Sequence, residues 1–315
     1  MHPAFSVIFF TTASGAGYGL LMLTGVLAPL RLIPADRGFA ATLLALALGL
    51  ITTGLLSSTA HLGHPERAWR AFSQWRTSWL SREGVLSVAT YIPAGIFGIG
   101  WVLFGRLDGV FAIIGFATAA LALITVYCTA MIYASLKPIH AWHNAWVTPS
   151  YAVLALMTGA LWLNALTHVW GAGSSGLGVL ATAGAVLGLL VKEGYWRFID
   201  TTSGPSSAGS ATGLGARGKV TLLDGPHTQA NYLQREMGYA IARKHSTKLR
   251  GITRLLAFAM PLLLTLLALA LDGTLAVPAT LLAAVLGLLG VLVERWLFFA
   301  EAKHTVTLYY GAATA

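Results

Sequence analysis

Two ionisable residues, His61 and Glu83, frame the segment 61–84, which reads HLGHPERAWRAFSQWRTSWLSREG. An imidazole titrates near neutrality and can donate or accept a hydrogen bond, and a carboxyl can pass a second proton, so the pair suits a two-proton exchange with a small carrier. Trp69, Trp75 and Trp79 between them suit a headgroup boundary, where the ring lies partly in lipid and the N–H finds a polar partner. Arg67, Arg70 and Arg76 stand at spacings of three and six, which predicts a short helix lying along a membrane surface. The plainer alternative is that His61 merely ends one helix, while Glu83 pairs with Arg82 or Arg67 in the first turn of the next, where a carboxylate is favoured.

The elements that must position these residues follow from composition. A water-soluble domain carries about 25% charged residues. This chain of 315 residues has 10% charged and 56% hydrophobic residues, with a mean hydropathy of +0.72. It belongs in a bilayer. Crossing about 30 Å of hydrocarbon takes about 20 apolar residues in a helix, and eight such runs are predicted at 5–30, 39–62, 84–104, 110–134, 148–170, 176–199, 252–271 and 276–300. The fold class is therefore all-α: a polytopic integral membrane protein of eight transmembrane helices, forming a single membrane domain over 1–315, with an interfacial helix after the second. The first run has no basic n-region and is too long for a signal peptide, so it is expected to remain as helix one.

An even number of spans puts both termini on one side. With the basic residues at span edges included, 17 Lys and Arg fall on that side and 3 (Arg31, Arg37, Arg106) on the other. The positive-inside rule then makes the termini and long loops cytoplasmic and the net charge of +9 a topology signal; no nucleic acid partner is expected. Lys192 and Arg295 are counted among those edge residues, and all eleven carboxylates are assigned to loops or span ends. The loop 200–251 opens Gly/Ser-rich and flexible, whereas 227–250 is polar and basic enough to dock on a partner. One cysteine, Cys128, rules out a disulfide framework, a cysteine-ligated zinc site and an iron–sulfur cluster held by this chain alone. Any redox centre is then bound otherwise, as a diffusible carrier would be, or lies on a partner.

A quinone is such a carrier. Its headgroup needs hydrogen-bond partners, a proton relay and an apolar slot for its tail, and His61 with Glu83 supplies the first two. The residues His61-Leu62-Gly63, Pro65-Glu66-Arg67-Ala68 and Ser81-Arg82-Glu83, with MIYASLKPIHAWHNAWVTP at 131–149 and ERWLFFAEAKHTV at 294–306, resemble the dimethyl sulfoxide reductase anchor subunit (DmsC) family. That group includes the membrane subunit of cytoplasmic-side sulfite dehydrogenase and, more distantly, the polysulfide reductase type (NrfD-like) anchors. The resemblance spans most of the chain in the number and order of its helices, although its sharp motifs occupy about a tenth of it and the 200–251 loop is longer than expected.

The resemblance implies an eight-helix anchor in the bacterial inner membrane that binds menaquinone or ubiquinone and carries no haem or cluster. Its partners would be an iron–sulfur subunit and a molybdopterin catalytic subunit. The anchor has no catalytic residue for the sulfur substrate; the family's quinol-site histidine falls on His61 and its glutamate on Glu83. Arg67, Tyr133 and Trp142 join them by position as walls or donors. Cytoplasmic placement of the partner-facing side favours sulfite oxidation with quinone reduction over sulfoxide reduction with quinol oxidation. Two other readings remain open: a haem b cytochrome subunit, for which nine histidines suffice in number, and a secondary transporter.

Overall fold

A computed structural model describes residues 3–312 apart from 61, 226–227, 230, 238–240 and 272, and only the backbone of 241–244. Each predicted apolar run forms a helix long enough to span a bilayer. The first six are α1 (Phe5–Leu27), α2 (Arg37–Thr59), α3 (Trp79–Gly98), α4 (Gly109–Ala134), α5 (Val147–Val169) and α6 (Ser175–Thr201). Two short helices, α7 (Ala208–Thr212) and α8 (Tyr232–Met237), lie in the long loop. The seventh span joins α9 (Ile241–Thr253) to α10 (Met260–Leu269), and α11 (Ala276–Ala300) is the eighth. No strand occurs among the described residues.

Fifteen of the 23 residues of α1 are buried, which makes it the central helix; it packs against α2, α4, α5 and α11. Its crossing with α5 is made by small residues. A Cβ on Gly19 would sit 1.8 Å from the carbonyl oxygen of Ala155, and one on Gly159 would sit 2.3 Å from the carbonyl carbon of Gly19. Lipid tails give helices no hydrophobic reason to associate, so this close backbone approach is where packing attraction is gained.

Two of the spans contain widened, π-helical turns near a proline. Pro261 is the second residue of α10, which directly follows a π-helical segment, Arg254–Ala259. A proline has no N–H to bond and its ring crowds the carbonyl four residues back, so widening the preceding turn relieves both problems. The backbone of α11 comes in at this place, where a Cβ on Gly290 would lie 2.1 Å from the nitrogen of Ala257. In α3 the widening follows Pro93, at Ile99–Leu103.

Helix starts are fixed by caps. The Asp36 carboxylate accepts the Phe39 N–H at 2.8 Å to open α2, and these backbone bonds hold its carboxyl below the usual range. At the opposite end of the bundle the loops knit together: Thr305 N–H donates to the Pro138 carbonyl at 3.1 Å, and the Tyr309 hydroxyl donates to the Ala211 carbonyl at 3.0 Å.

One expectation about charge fails here. Lys192 and Arg295 do not lie at span edges, and Glu294 is not at a span end: all three are inside α6 and α11 and no more than 2% exposed. They pair with each other. Lys192 Nζ is 2.6 Å from Glu294 Oε1, and Arg295 Nε is 3.1 Å from Glu294 Oε2.

Candidate functional site

The segment after α2 forms the predicted surface helix, with 3₁₀ turns over Pro65–Gln74, Pro65 at its start and no buried residue. Its arginines stand beside its own tryptophans: Arg70 lies 5.7 Å from the Trp69 ring and Arg76 lies 5.9 Å from the Trp75 ring. Two features of α3 hold it down. The Ser81 hydroxyl donates to the Ala71 carbonyl, and Gly84 lacks the Cβ that would sit 2.9 Å from the Phe72 ring.

Beneath this helix is a cavity of about 870 Å³ bounded by α1, α2, α3 and the end of α4. Phe10, Leu55, Leu80 and Ile132 are among its apolar walls, and Glu83, Ser87, Arg67 and Tyr133 also line it. Cofactor pockets of about 300–1,000 Å³ are commonly built this way, mostly apolar with a few convergent polar groups.

Glu83 lies in the second turn of α3 and is 5% exposed. The expected alternative partners are occupied elsewhere. Arg82 donates to the carbonyls of Trp75 at 3.0 Å and Arg76 at 2.6 Å and lies over the Trp79 ring at 4.2 Å. Arg67 faces Glu66, with Nε 3.6 Å from Oε1. Among the described residues the Glu83 carboxyl has no ion pair; it accepts a hydrogen bond from the Ser87 hydroxyl at 2.9 Å. A buried carboxyl that faces a large cavity and has no ion pair among the described residues is costly to retain, and such a group is a functional candidate by default.

His61 lies outside the described residues; its described neighbours Thr59 and Leu62 line the cavity. Tyr133 is 8% exposed and forms the inner wall. Trp142 is not a lining residue. It packs behind Tyr133 at 5.3 Å between ring centroids, stacks on Phe298 at 5.6 Å, and its indole N–H donates to the Phe298 carbonyl at 2.9 Å. The structure thus brings Glu83, Arg67 and Tyr133 together and leaves Trp142 as their support.

A second polar region follows around the end of α6. Arg250 donates from Nη1 and Nη2 to Asp200 at 2.6 and 3.0 Å, and from Nε to Glu301 at 3.0 Å. With His140, Thr202 and Lys303 these residues line a cavity of about 360 Å³. Burial raises the Glu301 carboxyl above the ordinary range despite Arg250. Burial, with His143 alongside, lowers the His140 imidazole below its ordinary value, and a His140 ring nitrogen is 2.9 Å from the Thr202 hydroxyl.

The sequence reading missed the buried Lys192–Glu294–Arg295 cluster. Lys192 Nζ stands 3.8 Å from the Tyr195 ring centroid, and the Arg295 guanidinium 3.8 Å from that of Tyr151. The signal that could have found it was the Glu294-Arg295 pair following a continuous apolar run, since an intramembrane ionisable group is a functional candidate by default.

Comparison with known proteins covers nearly the whole chain. The family described as DMSO reductase anchor subunit (DmsC) matches residues 1–311. The chain is also similar to a sulfite dehydrogenase subunit of Allochromatium vinosum, at 35% identity over 98% of this chain and 99% of that protein. This eight-span membrane protein therefore belongs to the DMSO reductase anchor subunit (DmsC) family.

Proposed function

We propose that the chain is the membrane anchor of a molybdopterin oxidoreductase complex and exchanges electrons and protons with a quinone seated beside Glu83. The observation that carries this reading is the buried Glu83 carboxyl, without an ion pair among the described residues, on the wall of a largely apolar cavity of about 870 Å³. The apolar walls suit a ring and isoprenoid tail, and Glu83 is placed to hold or pass a proton at a quinone oxygen. His61, assigned from the sequence, joins it as the second proton-handling group, while Arg67 and Tyr133 bound the headgroup space. Trp142 fixes Tyr133 from behind.

The partners in this reading are an iron–sulfur subunit and a molybdopterin subunit, docked on the face that carries Pro65–Gln74 and the basic 200–251 loop. With the buried Lys192 and Arg295 set aside, the basic residues still divide 15 to 3, which supports a cytoplasmic position for that face and for both termini, in a bacterial inner membrane. The whole-length similarity to a sulfite dehydrogenase subunit favours sulfite as the electron donor. Sulfite, water and quinone would then give sulfate and quinol, with two electrons crossing from the partner and two protons entering at the cavity.

The test uses the intact complex in membranes. Glu83→Gln and His61→Ala are expected to leave assembly and sulfite oxidation with an artificial acceptor unchanged, and to slow quinone reduction by about 10²-fold or more, the usual contribution of a positioned proton-transfer group. Native quinone kinetics in both variants would refute the site. Quinol-dependent sulfoxide reduction, with no sulfite activity, would reverse the assigned direction.

A further inference from the structure

The cavity beside Glu83 is closed on most sides by helices in close packing. α1 packs against α2 and against α4, and α3 packs against α4. The surface helix Pro65–Gln74 forms its roof, held by the Ser81 hydroxyl on the Ala71 carbonyl and by Phe72 over Gly84. The remaining two walls, α2 and α3, make little contact with each other. α2 meets the third span chiefly at its far end, near the widened turn Ile99–Leu103, where a Cβ on Gly98 would lie 3.2 Å from the Leu44 side chain.

Two stripes of side chains border this gap. On α2, Thr52, Leu55, Leu56 and Thr59 recur at helical spacing, and on α3 Leu80, Gly84, Val88 and Tyr91 do the same, so each set shares one helix face. Leu80 and Val88 line the cavity and are at the same time 56% exposed. Leu56 and Ile92 beside them are exposed as well. The stripes join at one polar point, where the Thr52 and Tyr91 hydroxyls are 2.6 Å apart. Hydrocarbon offers a hydroxyl no other partner, so this bond pins α2 to α3 at one depth. Thr52 lies seven residues before the end of α2, about 10 Å at 1.5 Å per residue. The gap is therefore an apolar slot of about that height, running from the surface helix down to the Thr52–Tyr91 bond and leading from the cavity to the outside of the bundle.

We propose that the isoprenoid tail of a quinone held at Glu83 leaves the cavity between α2 and α3, over Leu55, Leu56 and Val88, and that the Thr52–Tyr91 hydrogen bond sets the lower edge of this doorway. The inference rests on the quinone reading of the Glu83 cavity and adds the side from which the carrier enters and the residues that hold its tail. A ring seated at Glu83 needs an unsealed side through which its hydrocarbon tail reaches lipid, and the α2–α3 gap is the side that helix packing leaves open. The tail gains affinity there by apolar burial alone, so the doorway separates tailed from tailless quinones and leaves the ring chemistry to Glu83 and His61. Thr52 and Tyr91 are positioning residues that hold the two helices at a fixed separation.

Two photoreactive probes on the intact complex in membranes separate the doorway from the site. A quinone with an azide on its ring reports where the head sits, and one with a diazirine in its first isoprene units reports where the tail leaves. Tail adducts are expected on Leu55, Leu56, Val88 or Ile92 and none deeper than the Thr52–Tyr91 bond; Tyr91→Phe should let them spread one turn deeper, toward Leu48 and Gly95. Ring adducts on the cavity wall with tail adducts on α1, α4 or the surface helix overturn the doorway and leave the quinone reading standing. Ring adducts elsewhere on the chain refute that reading and the doorway with it. Leu56→Trp and Val88→Trp fill the gap, and each should lower kcat/KM for a long-tailed quinone about tenfold or more relative to a tailless ring quinone in the same variant. An unchanged ratio in both variants, or a phospholipid acyl chain occupying the gap in a density map of the complex with a tailed quinone bound, also overturns the proposal.

Discussion

Replacing Glu294 by glutamine should be the most damaging single-group change in the buried charge cluster. Its carboxylate is the only one in direct contact with Lys192 and Arg295 among the described residues, at 2.6 and 3.1 Å, and all three side chains are no more than 2% exposed. At an effective dielectric of about 20, two unit charges about 4 Å apart attract by about 4 kcal/mol before desolvation is subtracted, and these contacts are closer than that. Removing the anion leaves two cations facing each other in a low-dielectric interior, and breaking a buried pair in this way costs about 3–5 kcal/mol. That is about 10²–10³-fold or more in the folding equilibrium. Lys192→Met differs in kind. It leaves Glu294 with Arg295 as a neutral pair and forfeits the ammonium's contact with the Tyr195 ring, 3.8 Å to the centroid, worth about 2 kcal/mol in a desolvated site. Thermal unfolding of the detergent-solubilised complex, followed by size-exclusion profile, should rank native above Lys192→Met and Lys192→Met above Glu294→Gln. A Glu294→Gln protein as stable as native, or a Lys192→Met protein less stable than it, would refute the reasoning.

Two further outcomes follow from other parts of the bundle. Gly19→Ala places a Cβ 1.8 Å from the Ala155 carbonyl, so it should cost about 1–3 kcal/mol or more through overpacking and lower the amount of folded protein in membranes. Gly49→Ala, where a Cβ meets nothing within 4 Å, should be neutral or slightly stabilising; equal losses in both variants would count against the α1–α5 crossing. For His140, whose pKa is lowered from its ordinary 6.5, a proton costs the folded state more than the unfolded one. Its contribution to stability is therefore full above about pH 6.5 and is lost as pH falls below that value. The melting temperature of the complex should drop from pH 7.5 to 5.5, and His140→Gln should flatten part of that slope; an unchanged slope in the variant would refute this assignment.

The spans were legible because about 20 apolar residues in a row have few folded alternatives, and the surface helix because its Trp and Arg residues announce a boundary. Glu83 was legible as an ionisable group at the start of a span. That it escapes Arg82 and Arg67 was not, since it depends on Arg82 turning back to the Trp75 and Arg76 carbonyls. Lys192, Glu294 and Arg295 were misplaced because a hydropathy window sums residues along a run and is blind to which face of the helix they occupy. Only the packing of α6 against α5 and of α11 against α1 and α5 turns those faces inward. Trp142 looked like a site residue for a related reason: sequence brings it near Tyr133, and only the folded loop sets it behind that ring. The same blindness hid Arg250 and Arg254 as partners of the α6 carboxylates Asp200 and Glu193.

The claim that a quinone sits beside Glu83 is tested most directly by photolabelling the intact complex in native membranes with an azido-quinone and mapping the adducts by mass spectrometry. The account predicts adducts on the cavity wall, within residues 55–88 and at Ile132 or Tyr133, that are competed away by excess quinone and diminished in Glu83→Gln. Competable adducts elsewhere on the chain, with none on that wall, would contradict it.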